Sequence, residues 1–390
     1  MRILLFCNFT LPDSCADATR VLNLSKLLKL SGHEVELLGV SFNESRNIGN
    51  VDGIEYGHLQ AGSWTGYKAI IRIIRLKKDI RRFLIEHSKD RPYDAILLSG
   101  VYYDYSSVFF KYRKRYGAKL IVNALEWFDK GNVQFDGLRG KINLVKNRVA
   151  LKHTFVKMKN ILVISTLLEK YYSSHGCNTV VIPTVIDMQE YQKEPLISAV
   201  VVRDRIHIAY AGNPCRKDYV INAIFALERL SPEELSKTVL DFYGVTTEQM
   251  YREGLPGDFF EKYKDNIVCH GRIPYADVKK KIAEADFTVL LRPDKRYANA
   301  GFPTKVGESM ACGTPVIANI TSDLGKYIID GKTGIICENE TPEACAKAFR
   351  RALNLTREQM AEMRREALKM AEKSFDYRAY TEAMERFLNE

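Results

Sequence analysis

The stretch "NAGFPTKVGESMACGTPVIA" (Asn299–Ala318) decides how the C-terminal half of this chain is read. Upstream of it, "DFTVLLRP" is a strand pattern ending near Arg292, and a loop runs from there through Tyr297 to Gly301. Pro303 and Thr304 open a short helix. The run "SMACG" keeps that helix small enough to pack closely, and Gly313 ends it before the apolar, β-branched "TPVIANI". Strand, loop, helix and strand in this order form the repeating unit of a parallel α/β sheet.

The same alternation extends in both directions. In the first half, Ile3–Cys7, Glu34–Val40, Ala95–Ser99, Leu120–Ala124, Ile161–Ser165 and Val180–Pro183 read as strands. Amphipathic stretches such as Val21–Leu30, stopped by Gly32, lie between them. The pattern breaks in the polar, proline-bearing segment 188–204 and restarts at "IHIAYAG", Ile206–Gly212. The expected organisation is therefore two doubly wound α/β domains: 1–187, a linker 188–204, and 205–374, with a terminal amphipathic helix in 375–390. Sheets of this kind bind ligands at the carboxyl ends of their strands, and with two such domains the expected site is the cleft between them.

Composition limits the function classes. The chain has 390 residues, and 46% of them are hydrophobic, without a low-complexity tract. No apolar run approaches the roughly 20 residues that span a bilayer. The first residues run straight into a strand pattern rather than a secretory leader, so a cytoplasmic protein is expected. The 8 cysteines are scattered with no Cys-x-x-Cys pair, which fits free thiols better than a zinc site or a disulfide framework. No Gly-x-Gly-x-x-Gly or Gly-Lys-Ser/Thr loop follows a strand, which argues against a dehydrogenase or an NTPase.

Two loops carry anion-binding chemistry. Gly212 ends a strand, and Lys217 precedes a helix for which Asp218 is the expected N-cap. In the opening stretch, Gly301 allows close backbone approach, and Thr304–Val306 present N–H groups at a helix start. Glu308, one turn further in, is placed to accept hydrogen bonds from a vicinal diol such as a ribose. The structural alternatives are a solvated Lys217 and an ion-paired Glu308.

"GFPTKVGESMACGTPVIA" resembles the donor-site motif of retaining GT-B glycosyltransferases, in particular the glycosyl transferases group 1 family of bacterial polysaccharide and glycolipid synthesis. "YAGNPCRKD", "VISTLLEKYY", "VIPTVID" and "TSDLGKYIIDGKTGIIC" resemble further landmarks of that family, in the usual order and over nearly the whole chain. The resemblance implies a GT-B fold of two Rossmann-like domains facing across a cleft. The C-terminal domain would hold a nucleotide-diphosphate sugar, UDP- or GDP-linked, as substrate. It implies that Glu308 binds the donor ribose, that Gly301 and Phe302 belong to the loop meeting the sugar and phosphates, and that Lys217 pairs with the diphosphate. Gly212, Pro303 and Thr304 complete the donor-side set.

Departures from the family pattern are equally specific. The first of its two carboxylates would stand at Ala300, with Asn299 and Lys305 as nearby substitutes. Asn213 stands where many relatives have an arginine, leaving Arg292, Arg216 or Lys305 to compensate. Where many relatives place a histidine after a strand of the N-terminal domain, this chain has Glu126, a candidate for orienting or deprotonating an acceptor hydroxyl. Asp17, Thr19 and Arg20 follow the first strand and are acceptor-side candidates.

The net charge of +10 is concentrated: Thr65–Asn160 carries 22 Lys and Arg against 8 Asp and Glu. "YKAIIRIIRLKKDIRRFLIEH" and "KINLVKNRVALKHTFVKMK" alternate apolar and basic residues at helical spacing, as helices on an anionic membrane surface do. A solvated basic face is the alternative, and no nucleic-acid-binding motif accompanies the charge. The expected function is a metal-independent, retaining glycosyltransferase, cytoplasmic and peripheral on the membrane, with a glycan or lipid-linked acceptor. A non-catalytic nucleotide-sugar-binding GT-B protein is the rival, favoured by Ala300 and Asn213.

Overall fold

The computed structural model describes residues 1–12, 15–42, 48–62, 68–100, 103–129, 138–192, 204–214 and 217–390, with backbone alone at 68–69, 138–139, 192 and 275–276. The chain divides into two compact units, Met1–Val185 with Tyr377–Glu390, and Ile186–Asp376. Of the segment expected as a linker, Met188–Gln192 is a short helix of the second unit, and 193–203 lie outside the described residues.

Unit 1 is built on an eight-stranded sheet. Its strands are β1 (Arg2–Cys7), β2 (Glu34–Ser41), β3 (Gly49–Val51), β4 (Ile54–Gln60), β5 (Ala95–Ser99), β6 (Lys119–Ala124), β7 (Asn160–Val163) and β8 (Asn178–Val181). Their spatial order is β3-β4-β2-β1-β5-β6-β7-β8. All neighbours are parallel except β3 and β4, an antiparallel hairpin. That hairpin is absent from the strands expected above: β3 is three residues long, and "IEYGHLQ" of β4 alternates poorly. The signal for it was Asp52-Gly53, whose φ values of 51° and 76° make the two-residue turn that suits a twisted hairpin. The central strands are buried on both faces, which is why they read as unbroken apolar runs. The last helix, Thr381–Asn389, lays Met384, Phe387 and Leu388 on Val21, Leu24 and Leu28 of the helix Ala16–Leu30 and completes this core.

Unit 2 has a six-stranded parallel sheet of β9 (Ile206–Ala211), β10 (Thr238–Tyr243), β11 (Ile267–Gly271), β12 (Phe287–Leu290), β13 (Val316–Asn319) and β14 (Gly334–Cys337). The order is β11-β10-β9-β12-β13-β14. The chain leaves β9 in one direction through β10 and β11, then returns to β12 on the other side and continues through β13 and β14. The strand order therefore reverses between β9 and β12. The loops after these two strands diverge there and leave the crevice that doubly wound sheets use for ligands.

Candidate functional site

Both loops at the β9–β12 reversal are pinned to the sheet by hydrogen bonds. After β9, Gly212 N–H donates to Tyr243 O at 2.8 Å, and Gly212 takes φ 126°, a conformation side chains rarely adopt. After β12, Arg292 N–H donates to Asn319 Oδ1 at 2.8 Å while Asn319 Nδ2 donates to Arg292 O at 2.7 Å. This reciprocal pair locks the ends of β12 and β13 together.

Asp218 organises the cations of this region. Its carboxylate is buried and accepts from Lys305 Nζ at 2.9 Å and from the Tyr210 hydroxyl at 2.8 Å. It also lies 3.3 Å from Nε of the buried Arg292. Asp218 is thus not the N-cap expected from the sequence: the helix Val220–Phe225 is preceded by Tyr219, with no side-chain cap. The carboxylate turns inward because the buried Arg292 and the partly buried Lys305 need a counter-charge more than a short helix needs a cap. Lys305 lies directly over Gly212, where an added Cβ would come within 2.7 Å of its Cε. Its ammonium also sits 5.3 Å from the centre of the Tyr210 ring. Gly212, Arg292 and Lys305 are therefore brought together, with Asp218 and Tyr210 as the partners that sequence reasoning missed. The signal available was a carboxylate directly beside the candidate Lys217.

The helix Thr304–Ala311 forms as expected, preceded by Pro303 with no side-chain cap; in its first turn Val306 N–H donates to Pro303 O at 3.2 Å. Ser309 and Met310 anchor it in the interior, with Ser309 Oγ 2.7 Å from Thr288 Oγ1. Glu308 is half-buried, and among the described residues its carboxylate accepts no hydrogen bond. Burial pushes its pKa up, against the opposing pull of Lys305 and Lys279. Glu308 and Lys305 line one small void of about 10 Å³ with Tyr210 and Thr288.

The loop before the helix is held by its own side chains. The expected loop contains a short helix, Arg296–Ala300. Phe302 packs edge-on against Tyr327, ring centres 5.4 Å apart, and this fixes the backbone of Gly301 and Pro303. Asn299 uses both ends of its amide, Nδ2 donating to Asp294 at 2.6 Å and Oδ1 accepting from Ser322 N–H at 2.7 Å. Ala300 is fully buried. In the loop after β13, Thr321 Oγ1 and Ser322 Oγ are buried hydroxyls without a hydrogen-bond partner among the described residues, and Ser322 has a strained φ of 54°. Asn213 is exposed, Lys217 is partly exposed, and Arg216 lies outside the described residues.

In unit 1 the candidates separate into two kinds. Arg20 is buried and fully engaged: its guanidinium donates to Ile182 O at 2.8 Å, to Pro183 O, and to Asn123 Oδ1 at 3.3 Å. Burial lowers its pKa to about 10. It ties the helix Ala16–Leu30 to the segment after β8. Asp17 is exposed in the first turn of that helix, and Thr19 is partly exposed. Glu126 lies two residues beyond β6 and is partly exposed beside Trp127, whose ring packs on Tyr171. The strand order of this sheet reverses between β1 and β5. There Asn8, whose buried Oδ1 has no partner among the described residues, is a polar group absent from the expected site.

Comparison with known proteins adds the following. Residues 200–370 match the family described as Glycosyl transferases group 1. A search of curated proteins finds no match. Among solved structures, sucrose-phosphate synthase from Thermosynechococcus elongatus is similar at a TM-score of 0.71 and 16% identity, covering 100% of this chain and 98% of that one. HepE of Anabaena in complex with UDP is similar at 0.64 and 16%, with 100% of both chains covered. The lipopolysaccharide outer core galactosyltransferase WaaB is similar at 0.65 and 14%, covering 100% and 99%. These identities speak for the fold rather than for a substrate. The chain has the GT-B fold, and its residues 200–370 match the model of the glycosyl transferases group 1 family.

Proposed function

We propose that this protein is a retaining glycosyltransferase that moves a sugar from a nucleotide-diphosphate donor to a glycan or lipid-linked acceptor in cell-surface polysaccharide or glycolipid synthesis. The observation that carries the reading is Glu308, a carboxylate that accepts no hydrogen bond among the described residues, next to Lys305 and one turn inside a helix start without a side-chain cap. A ribose diol supplies the two donors that this carboxylate lacks. The diphosphate falls to Lys305, Lys217 and the N–H groups at Thr304. The complex of Anabaena HepE with UDP is consistent with a nucleotide at a fold of this kind.

In the proposed reaction, the bond from the sugar's anomeric carbon to the diphosphate breaks as the acceptor oxygen bonds to the same face. The acceptor's proton passes to the departing diphosphate oxygen. Charge builds on that phosphate, and fixed cations and a helix N-terminus stabilise it without reorganising. In this metal-independent reading, side-chain cations and backbone N–H groups share the charge-stabilising role. Glu126 orients the acceptor hydroxyl, with Asp17 and Thr19 as further acceptor-side groups; Arg20 supports them structurally. The proposed location is the cytoplasmic face of a membrane, held peripherally through unit 1. No helix among the described residues is long and apolar enough to cross a membrane.

Calorimetry with UDP, GDP and ADP tests the donor, and one of the first two should bind most tightly. Donor turnover with and without an added lipid acceptor then separates the enzyme from a nucleotide-sugar-binding protein. NMR of the product's anomeric centre tests retention. Binding without any turnover across acceptors would favour the non-catalytic reading that Ala300 and Asn213 raise.

A further inference from the structure

Away from the donor-side loops, unit 1 contains a cavity of about 300 Å³ between the helices Lys68–Glu86 and Ser106–Tyr116. That volume is at the lower end of small-ligand pockets. Lys77, Lys78 and Arg81 reach it from the first helix, and Lys111 and Arg115 from the second. No carboxylate lines it, and among the described residues none of these five cations forms an ion pair. Five like charges around one cavity repel one another unless an anion sits among them.

The charge is segregated rather than spread. Residues 77, 78 and 81 share one side of their helix by its 3.6-residue period. The carboxylates of the same helix, Asp79 and Glu86, line a separate groove together with Arg75 and Arg82. The cavity's floor is apolar and fixed: Leu84 and Val108 lie beside Tyr112 and Tyr116, whose rings are 4.7 Å apart. The Tyr112 hydroxyl is held by Ser88 Oγ at 2.7 Å and accepts from Tyr93 N–H at 2.9 Å. Along the first helix the stripe continues as Ile74 and Ile70, which are 62% and 64% exposed. A cationic rim, an apolar floor and an exposed apolar extension match an anion that carries a hydrocarbon tail.

We propose that this cavity binds the phosphate headgroup of an anionic membrane lipid, with Ile70 and Ile74 entering the hydrocarbon boundary. The proposal deepens the membrane part of the proposed function and rests on it. It turns a general basic face into one discrete site.

The test is cosedimentation with phosphatidylcholine vesicles, with and without phosphatidic acid. The wild type should bind only the anionic vesicles. Arg81→Glu combined with Lys111→Glu should weaken that binding by at least about tenfold. Arg75→Glu combined with Arg82→Glu makes the same change in charge on the other groove and should weaken it far less. Both variants should keep the circular dichroism spectrum and melting temperature of the wild type, which verifies that unit 1 is folded. Equal loss in both variants would overturn the pocket while leaving a diffuse membrane contact. Calorimetric binding of inorganic phosphate as tight as that of a short-chain, water-soluble phosphatidic acid would overturn the lipid in favour of a soluble anion. Failure of the wild type to bind anionic vesicles would overturn both the pocket and the membrane reading.

Discussion

Arg20 in unit 1 and Glu308 in unit 2 are both ionisable side chains drawn out of water, and their surroundings differ in kind. Arg20 donates to two backbone carbonyls and to Asn123, so its charge is compensated within the protein. Glu308 accepts no hydrogen bond among the described residues, and burial raises its pKa. A compensated buried charge holds elements together, whereas an uncompensated one costs stability until something binds it. In the sequence both stood as candidate ligand contacts, Arg20 on the acceptor side and Glu308 on the donor side. Their hydrogen-bond partners assign Arg20 to architecture, whereas Glu308 has none among the described residues.

The largest expected effect follows from the most compensated cluster. Asp218→Ala strands Arg292 and Lys305 without their counter-charge and should cost about 3–5 kcal/mol of stability, as loss of one partner of a buried ion pair does. Urea denaturation of the variant measures it; a loss below 1 kcal/mol, on the order of a surface pair, would show that the cluster is solvated. Arg20→Met removes the donors from Ile182, Pro183 and Asn123 and should cost about 3 kcal/mol. UDP affinity should not change. If affinity falls while stability holds, Arg20 is a ligand contact after all.

Glu308→Ala should weaken UDP or GDP binding roughly tenfold to a hundredfold, the range of hydrogen bonds to a charged acceptor. Unchanged affinity by calorimetry would remove Glu308 from the ribose. The same carboxylate sets a dependence on pH. Its folded-state pKa is raised, so the folded protein holds more protons than the unfolded chain in the window just above the ordinary carboxylate range, and stability falls as pH rises through that window. Glu308→Gln abolishes this loss: it should melt above the wild type at neutral pH and level with it below the window. A variant that melts lower at neutral pH would show that a compensating partner exists. The smallest effect is expected at the unpartnered hydroxyl of Thr321, beside the loop where Ala300 replaces a carboxylate. Thr321→Val should reduce affinity for the intact nucleotide sugar about threefold to tenfold while leaving that for the free nucleotide alone. Equal effects on both would place Thr321 away from the sugar.

Much of this was legible in the sequence, and the reasons are local. β9, β12 and the helix Thr304–Ala311 are encoded by short-range signals: β-branched runs, Pro303 at a helix start and Gly313 at its end. The hairpin β3–β4 was encoded as well, in Asp52-Gly53, but its strands are too short and irregular to be read from periodicity. The part of Asp218 was not legible. A carboxylate before a helix reads as an N-cap, and nothing nearby in sequence shows that Arg292 and Lys305 converge on it from 74 and 87 positions away. The commitment of Asn299 to Asp294 and Ser322 was hidden for the same reason.

By itself the sequence determined the alternation of strands and helices, the break near 188–204, the uncapped helix start and the presence of Glu308 behind it. These depend on backbone propensities and side-chain periods that act over a few residues. Tertiary structure alone decided which ionisable groups are compensated. Asp218 is shared by two cations, Arg20 is spent on two carbonyls and Asn123, and Glu308 has no donor among the described residues. Compensation depends on distances between residues far apart in the chain, which the fold sets and no local pattern records.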